Sequence, residues 1–96
     1  MDQLTKPLHT HLVNMAYEGA THEQEHLMEH LLTLLAPDDQ QTVIGYYGLF
    51  GQPRLSLTDI ASRCNVSPEQ ALALIQTMLR RIAVAPEWQE LQNQQP

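Results

Sequence analysis

Between Ser56 and Ile82 the chain holds two helix starts separated by a tight turn, and that spacing leaves little choice of fold. Ser56 with Asp59 three residues on, and Ser67 with Gln70 three on, both have capping-box spacing, in which each side chain satisfies a backbone N–H that the helix leaves free. Pro68 follows Ser67 at the first helical position, where its missing N–H costs nothing and its fixed φ suits the helix. The intervening Cys64-Asn65-Val66 supplies the turn: Asn65 tolerates the left-handed conformation, and Val66 can plug the angle between the helices. Leu57, Ile60 and Ala61 then face Ala71, Leu74, Met78, Leu79 and Ile82 across that angle. Ala61 is small where two crossed backbones approach closely, so the pattern predicts a helix-turn-helix rather than a long antiparallel pair.

The rest of the chain reads as helical support. Pro7 opens a helix whose apolar residues Leu8, Leu12, Met15 and Ala16 recur at helical spacing, with Gly19 as its stop. Thr21 with Gln24 makes a third capping pair and starts a helix through Leu35, striped by Leu27, Met28, Leu31, Leu32, Leu34 and Leu35. Pro37 opens the next, with Asp38 and Asp39 in a first turn where carboxylates suit the positive end of the helix dipole. Val43, Ile44, Tyr46 and Tyr47 supply its buried side, and Gly48 ends it. Residues 48–55, with Gly51 and Pro53, form a loop by composition. After Ile82 the helix runs out at Ala85-Pro86, and Trp88 and Leu91 fold back onto the core from a last short turn or helix. The tail from Gln92 to Pro96 buries nothing and is predicted to be disordered. With no strand alternation and no repeat, the predicted class is all-α: a small domain of about five helices with a C-terminal helix-turn-helix. Residues 1–36 give two amphipathic supporting helices, packed as one unit with the helix-turn-helix domain at 37–91.

Composition narrows the function. Ninety-six residues, 43% of them hydrophobic, allow one modest core. Five Lys and Arg against eleven Asp and Glu give a formal charge of −6, so the chain as a whole is repelled by phosphate. A single cysteine excludes an internal disulfide, and Cys64 reads as a small hydrophobe in the interhelical turn. No apolar run approaches the roughly 18 residues of a membrane span or has the flanks of a signal peptide, so a cytoplasmic protein without a membrane partner is expected.

At this level of detail the chain resembles region 4 of the bacterial sigma factors, the part that reads the upstream promoter element. The pieces fall in family order over roughly two thirds of the chain. Leu35-Ala36-Pro37 opens a helix, Tyr46-Tyr47-Gly48-Leu49 closes it, and a loop leads to Leu57-Thr58-Asp59-Ile60-Ala61, Val66-Ser67 and Leu79-Arg80-Arg81-Ile82. The resemblance implies that the second helix of the pair is a recognition helix. It also implies that Arg80 and Arg81 contact backbone phosphates or bound activators, although cations at a helix C-terminus favour the dipole in any case. The chain departs from the family at the outward positions of that helix, where an Arg-Glu-Arg run and further basic residues are replaced by Pro68, Glu69, Gln70, Leu72 and Ala73. Only Glu69 keeps the family type. The basic positions that the family places in the helix after its Leu-x-Pro hold Asp38, Ile44 and Tyr46 instead.

His22-Glu23-Gln24-Glu25-His26 matches the HExxH pattern of zinc proteases, in which two histidines four apart hold the ion and the Glu activates its water. On a helical wheel, however, His22, His26 and His30 fall opposite the apolar stripe, and a chain this short has little with which to build a third ligand and a cleft. A solvated polar face is the expected reading, with no metal, cofactor or catalytic residue. His9 and His11 are expected at the surface, and Tyr46, Tyr47, Phe50 and Trp88 are expected in the packing rather than on a base-stacking platform.

Three functions compete. The favoured one is a sigma-like regulator of transcription that acts through protein contacts with RNA polymerase, a sigma partner or a second copy of itself. Promoter reading is weakened in it, and its surface comprises Pro68, Glu69, Gln70, Leu72, Ala73, Ile75, Gln76, Arg80 and Arg81. Leu72 and Ile75, taken as lying off the core stripe, make that helix apolar on two sides. The alternatives are a DNA-binding helix-turn-helix regulator and, more distantly, a zinc hydrolase.

Overall fold

Residues 2–93 are described by a computed structural model in which six α-helices follow one another: α1 (Lys6–Glu18), α2 (His22–Leu32), α3 (Pro37–Tyr47), α4 (Leu57–Cys64), α5 (Pro68–Ala83) and α6 (Pro86–Asn93). The described residues contain no strand, so the protein is all-α. The short final element is a helix of eight residues, one more than the five expected.

Local chemistry sets most of the boundaries. Thr21, Ser56 and Ser67 each accept the N–H of the residue three ahead, at 3.1, 3.1 and 3.2 Å, and Gln24, Asp59 and Gln70 reach back to the cap N–H. All three capping boxes are therefore closed. At the other end of α4, Asn65 takes φ 59°, and Val66 N–H reaches back to Ala61 O at 3.0 Å. Gly48 does the same for α3 at φ 71°, with Gly48 and Leu49 N–H both donating to Ile44 O. Left-handed residues at these two places satisfy carbonyls that the helix leaves open and turn the chain sharply.

The helix α5 is the hub. It packs against α4 at the helix-turn-helix angle and also against α1, α3 and α6, and buried side chains from all six helices form one core cluster. Leu8 and Leu12 of α1, Met28 of α2, Val43 of α3 and Leu79 of α5 are wholly removed from solvent. Ala61 is buried at the α4 crossing, as its size requires, and Cys64 and Val66 are half-buried against the core. The loop after α3 is strapped across that helix by Leu55 N–H donating to Gly45 O at 2.8 Å. A β-carbon at Gly45 would lie 2.8 Å from Leu55 Cδ1, which explains a glycine inside a helix, where it costs roughly 0.5–1 kcal/mol relative to alanine.

Several expectations are corrected. The helix α2 stops at Leu32 rather than Leu35, because Leu34 and Leu35 N–H bond to Leu31 and Leu32 carbonyls in a tightened last turn. That turn swings Leu34 out into solvent and leaves Leu35 buried. On α5 the register is rotated: Ile75 is buried, whereas Leu74 is 42% exposed. The stripe that fits the core is Ala71, Ile75, Met78, Leu79 and Ile82, and Leu74 falls on its flank. His9 and His11 are half-buried rather than at the surface. Gln92 and Asn93, expected in the disordered tail, belong to α6, and the remaining tail positions 94–96 lie outside the described residues.

Candidate functional site

Opposite its buried stripe, α5 presents a solvent-facing side that begins at the cap after the Asn65 turn. Pro68, Glu69 and Gln70 form its first turn and are exposed, and Gln70 Oε1 is occupied in the cap with Ser67 N–H. Ala73 is exposed, and Leu72 and Gln76 are half-buried on one flank. Ile75 does not belong to this surface; the helix turns it inward, and its place as the exposed apolar side chain is taken by Leu74. The sequence pattern puts Leu74 among the residues facing α4, and the structure instead leaves it 42% exposed on the flank of the stripe.

The two arginines behave differently. Both are exposed in the last turn of α5, but Arg80 forms an ion pair with Asp2, 78 positions away, while no partner is found for Arg81 among the described residues. Asp2 is held well below the usual carboxylate range, chiefly by the Thr5 backbone N–H, then by Arg80 and the Thr5 hydroxyl. No signal in the sequence links Asp2 to Arg80. The exposed pair joins the first turn of the chain to the last turn of α5.

On α3, the positions Asp38, Ile44 and Tyr46 carry no cation. Asp38 is exposed at the rim of a groove of about 410 Å³ between α3 and α4, lined also by Gln41, Thr42, Leu55, Ile60, Arg63 and Cys64. Arg63 is its only cation. Ile44 and Tyr46 are half-buried against the core and offer no charge.

The aromatic residues pack as expected. Tyr47 and Trp88 are buried, and Tyr46 and Phe50 are partly buried beside them. Tyr46 and Tyr47 meet edge to face at 4.9 Å, and Trp88 lies 5.3 Å from the His11 ring. His9 Nδ1 and the Tyr47 hydroxyl are 2.7 Å apart. Burial lowers His9 and raises Tyr47, with Tyr46 adding to the latter. His11 is lowered by burial.

His22, His26 and His30 stand exposed along α2. Among the described residues, no three His, Cys, Asp or Glu side chains gather closely enough to hold a metal ion, so the HExxH histidines lack the third protein ligand that a catalytic zinc requires.

No family model, curated protein or solved structure matches the chain. Among the described residues no helix is long and apolar enough to cross a membrane.

Proposed function

We propose that the chain is a transcription-associated regulator, similar to sigma region 4, that acts mainly through protein contacts in the bacterial cytoplasm. Its partner is RNA polymerase, another transcription protein or a second copy of itself. One observation carries this reading. Inside a capped helix-turn-helix frame, the exposed face of α5 from Pro68 to Gln76 holds Glu69, Ala73 and Leu74 and no Lys or Arg, and the first arginine beyond it is paired with Asp2.

A recognition helix that reads DNA needs cations toward the phosphates, because counterion release supplies the non-specific affinity, typically a Kd of about 10⁻⁴ to 10⁻⁶ M. This chain carries −6 and has little with which to supply that term. With Leu74 42% exposed on one flank and Leu72 half-buried on another, this face offers apolar rather than cationic surface, which suits a protein partner better than a polyanion.

The reading is tested by fluorescence anisotropy with duplex DNA at low salt, alongside sedimentation with RNA polymerase, for wild type and Leu74→Glu. Wild type is expected to bind the protein and to bind DNA no more tightly than about 10⁻⁴ M. Leu74→Glu is expected to lose the complex while keeping its helical circular dichroism spectrum, since the side chain faces solvent. Tight, sequence-specific DNA binding by wild type would establish the DNA-reading alternative, with Arg81 and Arg63 as its exposed cations.

A further inference from the structure

The helix α2 carries a constellation that the helix-turn-helix does not use. His22, His26 and His30 stand at successive i, i+4 positions, all exposed, and with Glu23 and Leu27 they line one open groove of about 470 Å³. Residues four apart on a helix have β-carbons about 5–6 Å apart, which lets two imidazoles share one ion. His22 and His30 are two turns apart, about 12 Å along the axis at 1.5 Å per residue, so the three cannot converge on a single ion. His26 belongs to both possible pairs.

Two features show these imidazoles to be open ligands. The only ion pair among the described residues is Arg80–Asp2, and no side-chain hydrogen bond in the described residues involves the three histidine rings. The chain itself brings no third ligand to them. One chain thus offers two of the four positions of a tetrahedral zinc site.

We propose that this face is a transition-metal site shared between two copies of the chain, with a Zn²⁺-class ion held by an i, i+4 histidine pair containing His26 from each copy. Imidazole suits zinc, copper and nickel rather than magnesium or calcium, so the ion belongs to that class. A second copy is the natural source of the missing ligands, because a two-fold axis brings the same incomplete set opposite itself. Charge makes the ion a requirement for that dimer: two chains of −6, with Glu23 and Glu29 beside the histidines, repel one another, and a divalent cation at the contact offsets the nearest carboxylates. Leu27, half-buried at the groove, gives the facing helix an apolar edge to rest on.

The test uses the full chain without a histidine tag, titrated with ZnCl₂ and with MgCl₂ by calorimetry and sedimentation velocity. Zinc is expected to saturate at one ion per two chains and to convert monomer to dimer, reversibly on adding EDTA, whereas magnesium does neither. His26→Ala, which removes the residue common to both pairs, should weaken zinc binding by about tenfold or more and abolish the dimer. A double variant, His22→Gln with His30→Gln, leaves His26 without a pair and should do the same; both leave the helical spectrum intact, because these side chains face solvent. Binding at one ion per chain without dimerisation, no binding at all, or variants that bind like wild type would overturn the proposal. None of these outcomes bears on α5, whose partner is tested separately.

Discussion

At the scale of single residues, the informative contrast is between Leu74 and Leu79. Both stand on the same helix within two turns, yet Leu79 is fully buried and Leu74 is 42% exposed. Leu79→Asp would place an unpaired carboxylate in the core and leave a void where the side chain was, at a cost above about 4 kcal/mol, a large fraction of the stability of a small domain. Thermal melting should find that variant unfolded or nearly so. Leu74→Asp should melt within a few degrees of wild type, and a collapse of that variant would show that the register assigned to α5 is wrong. The sequence alone placed Leu79 correctly and exchanged Leu74 with Ile75. Leu72, Leu74 and Ile75 crowd one turn, and three apolar residues so close together make two helical faces almost equally apolar. The helix α5 packs against α1, α3, α4 and α6, and α1 and α3 are remote from it in the chain, so the choice of face rests on contacts that the local pattern does not hold.

At the scale of elements, the helix starts were the most legible part of the chain and the long-range straps the least. A capping box is a contact between residues three apart, so its chemistry is present in a short word of sequence, and all three expected boxes are closed. Ser67→Ala should therefore cost about 1 kcal/mol, because α5 would start with a free N–H at Gln70, and urea denaturation should read it as a lower midpoint at unchanged slope. Helix stops divide into two kinds. Gly48 could be expected from its type, and its φ of 71° with Arg54 Cα and N at 3.4 Å from a notional β-carbon makes the requirement double. Gly48→Ala should destabilise by roughly 1–2 kcal/mol from the left-handed conformation alone; a smaller loss would mean that the α3 end relaxes. The end of α2 had no such residue. Its apolar stripe continues through Leu34 and Leu35, and only the bonds of the tightened turn show where the helix gives way. Gly45 belongs with the straps: its reason is Leu55, ten residues on, arriving across the helix.

At the scale of the whole molecule, the amino-terminal helices shape the helix-turn-helix from behind, and their histidines make that support sensitive to acid. The sequence placed His9 and His11 at the surface because a short amphipathic helix does not reveal what it will lie against. The fold brings α3 to His9, through Tyr47, and Trp88 of α6 to His11, which half-buries both rings. Burial lowers both below the ordinary histidine value of 6.5. As pH falls through that value the unfolded chain takes up these protons before the folded one does, so stability that is full above 6.5 is lost below it, down to the lowered folded values. The carboxylate of Asp2, by contrast, is lowered from 3.8, so its contribution persists through this window and is lost only in stronger acid. Urea midpoints compared at about pH 7.5 and about pH 5 should therefore fall for wild type, in the direction set by histidine burial rather than by carboxylate protonation. A double variant, His9→Gln with His11→Gln, should start less stable at the higher pH, having lost the Tyr47 bond and the packing on Trp88, yet should lose less on acidification. Equal losses in the two proteins would place the acid sensitivity elsewhere in the chain and would remove these two contacts as the coupling between the amino-terminal helix and the rest of the core.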